Sequence, residues 1–377
     1  MLSLLYLFKV SIKAKLYVYF EMSVLNNTFM KIKFSMKKLL LLPLSLFIFS
    51  CSTTQHSKNR DYAKADVTKY MNTITANDLR THLYIVASDE MEGRNTGEPG
   101  QKKAGEYIIN QYKKNNIPFP TGADNFYQKV PSEFMARPFS PKLNDSENIW
   151  AFIEGSEKPE EILVISAHYD HVGMKNGEVY NGADDDGSGT VALLEIAQAF
   201  MAAKKDGYGP KRSILFLHVT GEEHGLHGSR YYSENPLFPM DNTIADLNID
   251  MIGRRDFNHE DNDNYIYVIG SDRLSTDLHN INEAANKKYT NLELDYTFND
   301  RNDPNQFYYR SDHYNFASKG VPIIFYFNGV HADYHKATDT PDKIEYDLMA
   351  KRTQLAFTTA WELANRENRP VVDRDGK

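Results

Sequence analysis

The stretch Glu161-Ile162-Leu163-Val164-Ile165-Ser166-Ala167-His168-Tyr169-Asp170 sets an unbroken apolar run against a histidine and an acid. A run this short, rich in β-branched side chains and bounded by polar residues, reads as a strand buried on both faces. Two other segments repeat the pattern. Ser213-Ile214-Leu215-Phe216-Leu217-His218-Val219-Thr220-Gly221 leads into Glu222-Glu223, and Ala245-Asp246-Leu247-Asn248-Ile249 ends on Asp250. Between the first two lies Asn181-Gly182-Ala183-Asp184-Asp185-Asp186-Gly187-Ser188-Gly189. Beyond Val321-Pro322-Ile323-Ile324-Phe325-Tyr326-Phe327 lies Asp333-Tyr334-His335. Ligands of open α/β sheets bind outside the carboxyl ends of the strands. These distant segments therefore have a physical reason to meet, and their side chains are those that bind divalent metals.

Outward from these runs, apolar strand patterns alternate with helical ones. Strands are expected over 147–154, 161–167, 213–219, 245–250, 265–269 and 321–327. Helices are expected over 77–86, 101–114, 187–203, 229–234, 274–288 and 346–365. Such alternation implies an α/β fold with a mixed, mostly parallel central sheet flanked by helices on both faces. No repeat or long linker interrupts it, so residues 71–370 read as one catalytic domain. An acidic loop at 254–264 and an aromatic loop at 296–309 are expected as surface insertions near the mouth of the site. In the second, Phe307, Tyr308 and Tyr309 serve equally well as pocket lining or as packing.

The ends read differently. Lys37-Lys38 precede an apolar stretch from Leu39 to Phe49 that closes on Ser50-Cys51. That is a charged region, an apolar region and a small residue before cysteine, the layout of a secretory signal with a lipoprotein cleavage site. The stretch is short for a membrane span of roughly 20 residues. Residues 1–50 are thus expected to be an upstream segment and signal peptide, with Met36 the natural start. Cys51 becomes the lipidated N-terminus, and 51–70 a polar tether. The expected location is the cell envelope, with a lipid anchor to the outer membrane or periplasmic face of a Gram-negative bacterium. Cys51 is the only cysteine of 377 residues, so the fold holds no disulfide. Without residues 1–50 the chain carries 36 Lys and Arg against 50 Asp and Glu, a net charge of −14. No basic patch survives that would suit a nucleic acid.

Taken singly, the polar residues at the strand ends are ambiguous. Most histidines bind no metal, but His168 and Asp170, two apart in extended chain, share a face. Asp170 is then placed to accept the second imidazole N–H and orient His168. Asp184-Asp185-Asp186 suit a helix N-terminus, where acids meet the dipole, or a carboxylate bridge between two ions. Calcium-loop spacing is also present, but no helix precedes it and no second loop pairs with it. Glu222-Glu223 is either a solvated pair or one metal ligand beside one proton carrier. Asp250, at the buried end of a strand, needs a partner. Jointly, two histidines and three carboxylates form the nitrogen and oxygen donor set suited to zinc or a similar ion. Two ions are served only if one carboxylate is shared.

His168-Tyr169-Asp170, Gly182 to Gly189, Gly221-Glu222-Glu223, Asp250-Met251 and Tyr334-His335 together resemble the M28 family of co-catalytic zinc peptidases, over roughly residues 75–365 and in the family's order. The resemblance implies the zinc-exopeptidase (phosphorylase/hydrolase-like) fold and two Zn²⁺ per chain, other divalent ions being possible. It assigns His168 and Asp250 to one ion and Glu223 and His335 to the other, with Asp185 as the bridge. It makes Asp170 the support of His168, Glu222 the general base and Tyr334 a donor to the oxyanion. It also implies a cis peptide bond after Asp185 and leaves Ser311-Asp312-His313 structural. The function so implied is hydrolysis of peptide bonds by a two-zinc exopeptidase, an aminopeptidase acting on a peptide with a free N-terminus. Glutaminyl cyclisation on the same fold, and dipeptidase or carboxypeptidase action, are the alternatives.

Overall fold

The computed structural model describes residues 64–140 and 142–375. All belong to one compact unit. The expectations for residues 1–50 and Cys51 lie outside the described residues.

The strands are β1 (Tyr127–Val130), β2 (Ser146–Ile153), β3 (Lys158–His168), β4 (Met174–Lys175), β5 (Glu178–Val179), β6 (Arg212–Val219), β7 (Thr243–Ile249), β8 (Tyr265–Ile269), β9 (Glu293–Asp295) and β10 (Ile323–Phe327). The helices are α1 (Val67–Met71), α2 (Ala76–Val86), α3 (Pro99–Lys114), α4 (Ser132–Met135), α5 (Gly189–Lys205), α6 (His227–Glu234), α7 (Thr276–Ala285), α8 (His313–Ala317) and α9 (Tyr346–Asn365). Eight strands form one sheet in the order β1-β2-β6-β3-β7-β10-β8-β9, while β4 and β5 make a separate hairpin. The central four, β6-β3-β7-β10, run parallel. Antiparallel pairing brings in β2 and β1 on one side and β8 on the other. The sheet is mixed and mostly parallel, as expected.

Side chains along each strand point alternately to two faces, and both faces are covered. Leu163, Ile165, Phe216, Leu247 and Ile324 join the core beneath α2, α3, α5, α7 and α9. Ile162, Val164, Leu215, Leu217 and Phe325 join a second core with Tyr232 of α6 and Phe316 of α8. Burial on both faces is the reason these strands read as continuous apolar runs rather than alternating ones.

The sheet edges are less legible. β1 and β9 are short strands whose half-exposed residues carry weak patterns. The helix expected over 274–288 ends at Ala285, followed by a wide turn in which the Asn286 side chain holds Thr290 and Leu292. The fold also begins ahead of the expected boundary at residue 71. Asp66 caps α1, and Tyr70 stacks on Trp361 with ring centroids 5.8 Å apart. The segment 254–264 is not a free surface insertion. Buried Asp256 accepts the Tyr267 hydroxyl, and His259 stacks on Tyr265 at 3.5 Å.

Candidate metal centre

β3 and β7 end side by side, and their last side chains converge. His168 Nε2 lies 3.2 Å from Asp185 Oδ1 and 3.6 Å from Asp250 Oδ1. The other oxygen of Asp185, Oδ2, lies 3.0 Å from His335 Nε2, which is 3.1 Å from Glu223 Oε2. One carboxylate thus turns its two oxygens toward two separate groups of side chains. Glu223 arrives on the turn after β6 and His335 on the loop after β10. The parallel core of the sheet therefore supplies the whole set.

The surrounding hydrogen bonds fix each member. The buried Asp186 carboxylate accepts main-chain N–H bonds from His168, Gly189 and Met251 at 3.2, 2.8 and 3.1 Å. Asp184 accepts the Gly253 N–H and pairs with His331 at 3.0 Å. These two flanking acids therefore tie loops together, and Asp185 is the one that points into the centre. The Asp185–Asp186 peptide is cis, as the family resemblance implied.

The support of His168 differs from expectation. Its Nδ1 lies 3.1 Å from the Asp170 main-chain carbonyl and 3.8 Å from that residue's Oδ1. The Asp170 carboxylate instead accepts Thr96 Oγ1 at 2.8 Å and the Glu222 N–H at 3.2 Å. The physical reason is the turn after β3, which folds the carbonyl toward the ring and leaves the carboxylate facing the β6 turn. Asp170 thus orients His168 through its backbone and Glu222 through its side chain. Ser311, expected to be structural, donates to Asp250 Oδ2 at 2.6 Å and accepts from Asn248 Nδ2 at 2.9 Å. That chain fixes the rotamer of Asp250. Nothing in the spacing of Ser311 announced this contact.

Electrostatics separate the carboxylates. Burial alone raises the Asp185 pKa, yet His168 and His335 hold it well below the ordinary value. Burial also works against the Glu223 carboxylate, but His171 and His335 hold it at about 2. Glu222 lacks such partners. Burial pushes it well above the ordinary carboxylate range, with Glu223 and Asp250 adding to the shift against an opposing His168. The Tyr334 hydroxyl is raised by burial and by the surrounding carboxylates, so it stays protonated. Its ring stacks on His335 with centroids 3.9 Å apart.

Zinc fits this donor set. His168 Nε2, Glu223 Oε1 and both ring nitrogens of His171 are buried without a hydrogen-bond partner. Buried polar atoms in that state are costly and call for a ligand. Ligand atoms of His171, Asp185 and Glu223 lie within 4.8 Å of one another. His168 and Asp250 stand as close to Asp186, but its carboxylate is taken up by main-chain N–H groups, and their partner in the centre is Asp185. Imidazole nitrogen and carboxylate oxygen at such spacing are zinc donors. His171 was missed in the sequence. Its signal was its place directly after His168-Tyr169-Asp170, on the same turn.

A small pocket, with about 40 Å³ open to the centres of water-sized molecules, lies beside Asp185, Glu222, Asp250, Tyr334 and His335. Phe307, Phe325, Phe327 and Val330 line it, with Arg310 also at its wall. Of the three aromatic residues left open above, Phe307 lines the pocket, Tyr308 is buried and Tyr309 is exposed.

Comparison with known proteins agrees with this geometry. A probable leucine aminopeptidase of Trichophyton verrucosum is 32% identical over 225 residues, covering 58% of this chain and 57% of the relative. One of Arthroderma benhamiae matches to the same extent. The chain thus spans little more than half the length of these curated relatives. Among solved structures, the Legionella pneumophila LapA aminopeptidase superposes with a TM-score of 0.61 at 21% identity, covering 80% of this chain and 75% of that one. A leucine aminopeptidase precursor from Bacteroides thetaiotaomicron gives 0.57 at 18% identity, with 76% and 97% covered. These likenesses support the fold. The model of peptidase family M28 matches residues 148–360, more than half of the chain and every candidate metal ligand just described, and the chain belongs to that family.

Proposed function

We propose that the protein is a metal-dependent exopeptidase, an aminopeptidase working with two zinc ions. The observation that carries this reading is Asp185, whose two oxygens face His168 with Asp250 on one side and Glu223 with His335 on the other. His168, Asp250 and Asp185 would hold one ion, and Glu223, His335 and Asp185 the other. When bound, such ions lower the pKa of a water and polarise the scissile carbonyl. The protein's own groups do the rest. Glu222, with its raised proton affinity, takes the proton of the attacking water and delivers it to the leaving amine. The Tyr334 hydroxyl donates to the oxyanion. The wall formed by Phe307, Phe325, Phe327 and Val330 receives the side chain of the residue to be removed, and the carboxylates of the pocket attract the free α-amino group.

A second reading has its own observation. Among the described residues no carboxylate pairs with the Arg310 guanidinium, which sits over the Phe307 ring at 4.7 Å. A cation beside the scissile position suits a substrate carboxylate, as dipeptidase or carboxypeptidase action requires. One panel tests both readings: aminoacyl-arylamides, dipeptides and dipeptide amides, with chelator and after zinc is restored. The aminopeptidase reading expects chelator-sensitive cleavage of arylamides and amides. Cleavage confined to free dipeptides transfers the assignment to the second reading. One tightly held ion with cyclisation of N-terminal glutamine sinks both.

We further propose a lipid anchor at Cys51, supported by the Lys37-Lys38, Leu39 to Phe49, Ser50-Cys51 layout. No described helix is long and apolar enough to cross a membrane. Cys51→Ser is expected to move the protein from the membrane to the soluble fraction, and a variant that stays membrane-bound refutes the anchor.

A further inference from the structure

Resting on the two-ion reading above, we propose that His171 is a third imidazole of the centre and a direct donor to the ion held by Glu223 and His335. Its Nδ1 lies 2.7 Å from Glu223 Oε1 and 3.9 Å from Asp185 Oδ2. At 2.7 Å a nitrogen and a carboxylate oxygen ordinarily share a proton. Here the pair lacks hydrogen-bond geometry, and both atoms are buried and unpartnered. Two lone pairs brought that close repel unless a proton or a metal ion faces both, and the missing hydrogen-bond alignment favours the metal. The ring of His335 approaches the same carboxylates from the other side, with the two imidazole centroids 5.9 Å apart.

The position of His171 is fixed from both flanks, which is what a ligand requires and a filler side chain does not. Its main-chain N–H donates to the Arg94 carbonyl at 3.1 Å. The buried Arg94 guanidinium in turn donates to the carbonyls of Tyr169 and Gly182. Gly182, at φ 54, lies against the imidazole so closely that a Cβ there would fall 2.5 Å from ring carbons. The glycine leaves the ring one slot, facing Glu223. The two sites then differ: one ion has His168, Asp250 and Asp185, while the other has two imidazoles, Glu223 and Asp185. The second should be the tighter.

The test is a competition titration with Zn²⁺ against a chromophoric chelator, together with the visible spectrum of the Co²⁺-loaded protein. The variants are His171→Ala, His171→Asn and, for comparison, His335→Ala. Circular dichroism of the metal-free forms checks that each variant folds. The proposal expects His171→Ala to weaken one ion at least about 10-fold, the scale on which metal-site contacts act, and to leave the other unchanged. The Co²⁺ bands of the weakened site should shift as they do in His335→Ala. His171→Asn, which can still hydrogen-bond Glu223, should not restore affinity. Restoration by asparagine, or unchanged affinity in both variants, overturns the proposal. A wild-type chain holding a single ion defeats the two-ion reading instead. His171 is then still judged by whether that ion's affinity falls in His171→Ala.

Discussion

Replacing Glu222 by glutamine is expected to lower kcat/KM for an aminoacyl-arylamide by about 10²–10⁴-fold, the range for loss of a positioned acid–base group. Metal content should be unchanged. Glu222 lines the pocket while Asp185, Asp250, Glu223 and His335 form the ligand cluster. A variant within about threefold of wild type would show that the proton moves by another route. The substitution also has a signature in stability. Burial raises the Glu222 pKa in the fold, so with chelator present the native state binds a proton that the unfolded chain releases. That contribution is fully present below the ordinary carboxylate pKa and is lost as pH rises toward the raised value. Glutamine, neutral at every pH, has no such loss. The chelated variant should therefore gain stability over wild type as pH rises above the ordinary carboxylate range, read from thermal melts across that rise.

Arg94→Leu is expected to destabilise the protein by more than about 3 kcal/mol, since each buried carbonyl left unpaired costs about 1–3 kcal/mol, while the Gly182 carbonyl keeps the Gly187 N–H. The Arg94 guanidinium is fully buried and donates to four main-chain carbonyls, those of Tyr169, Val86, Asn181 and Gly182, at 2.7–3.0 Å. Burial lowers its pKa, while Asp186 and Asp185 favour the charged form. These carbonyls belong to the end of α2, the turn after β3 and the loop before Asp185, so one side chain ties together three walls of the centre. Arg94→Lys should rescue little, because one ammonium cannot reach in four directions as the planar fork does. Denaturant unfolding with chelator present measures the loss without the contribution of bound metal. A cost below about 1 kcal/mol would mean that water replaces the guanidinium without difficulty.

What the sequence revealed followed burial. Runs such as Ile162 to Ala167 and Ile214 to Val219 are apolar throughout because both faces of the parallel sheet are covered, and that pattern survives in one dimension. Residues at the ends of those runs, His168, Glu222, Glu223 and Asp250, were legible for the same reason. Asp185 stood out from its neighbours only through the family resemblance, since three consecutive acids carry no mark of which one turns its oxygens toward both groups of side chains. Thr96 and Arg94 stayed hidden, and Ser311 was named only as structural. Their roles arise from contacts with residues 74, 88 and 61 positions away, and single polar residues in loops have no periodicity to betray such partners. Asp170 shows the finer limit. Its spacing from His168 was sufficient to place the two together, but not to decide between carboxylate and carbonyl as the acceptor.

The strand order has a consequence for the life of the molecule. Residues 168, 185, 223 and 250 are in hand once β7 is laid beside β3, but residue 335 follows β10, the last strand made, which completes the parallel core against β7. A full set of donors therefore exists only after β10 has been laid against β7. On the two-ion reading, capture of both ions would mark the finish of folding and play no part in starting it. A chain moved across a membrane before folding would then draw its ions from the far side. The metal supply of its destination, rather than that of its place of synthesis, would decide how much of it becomes active.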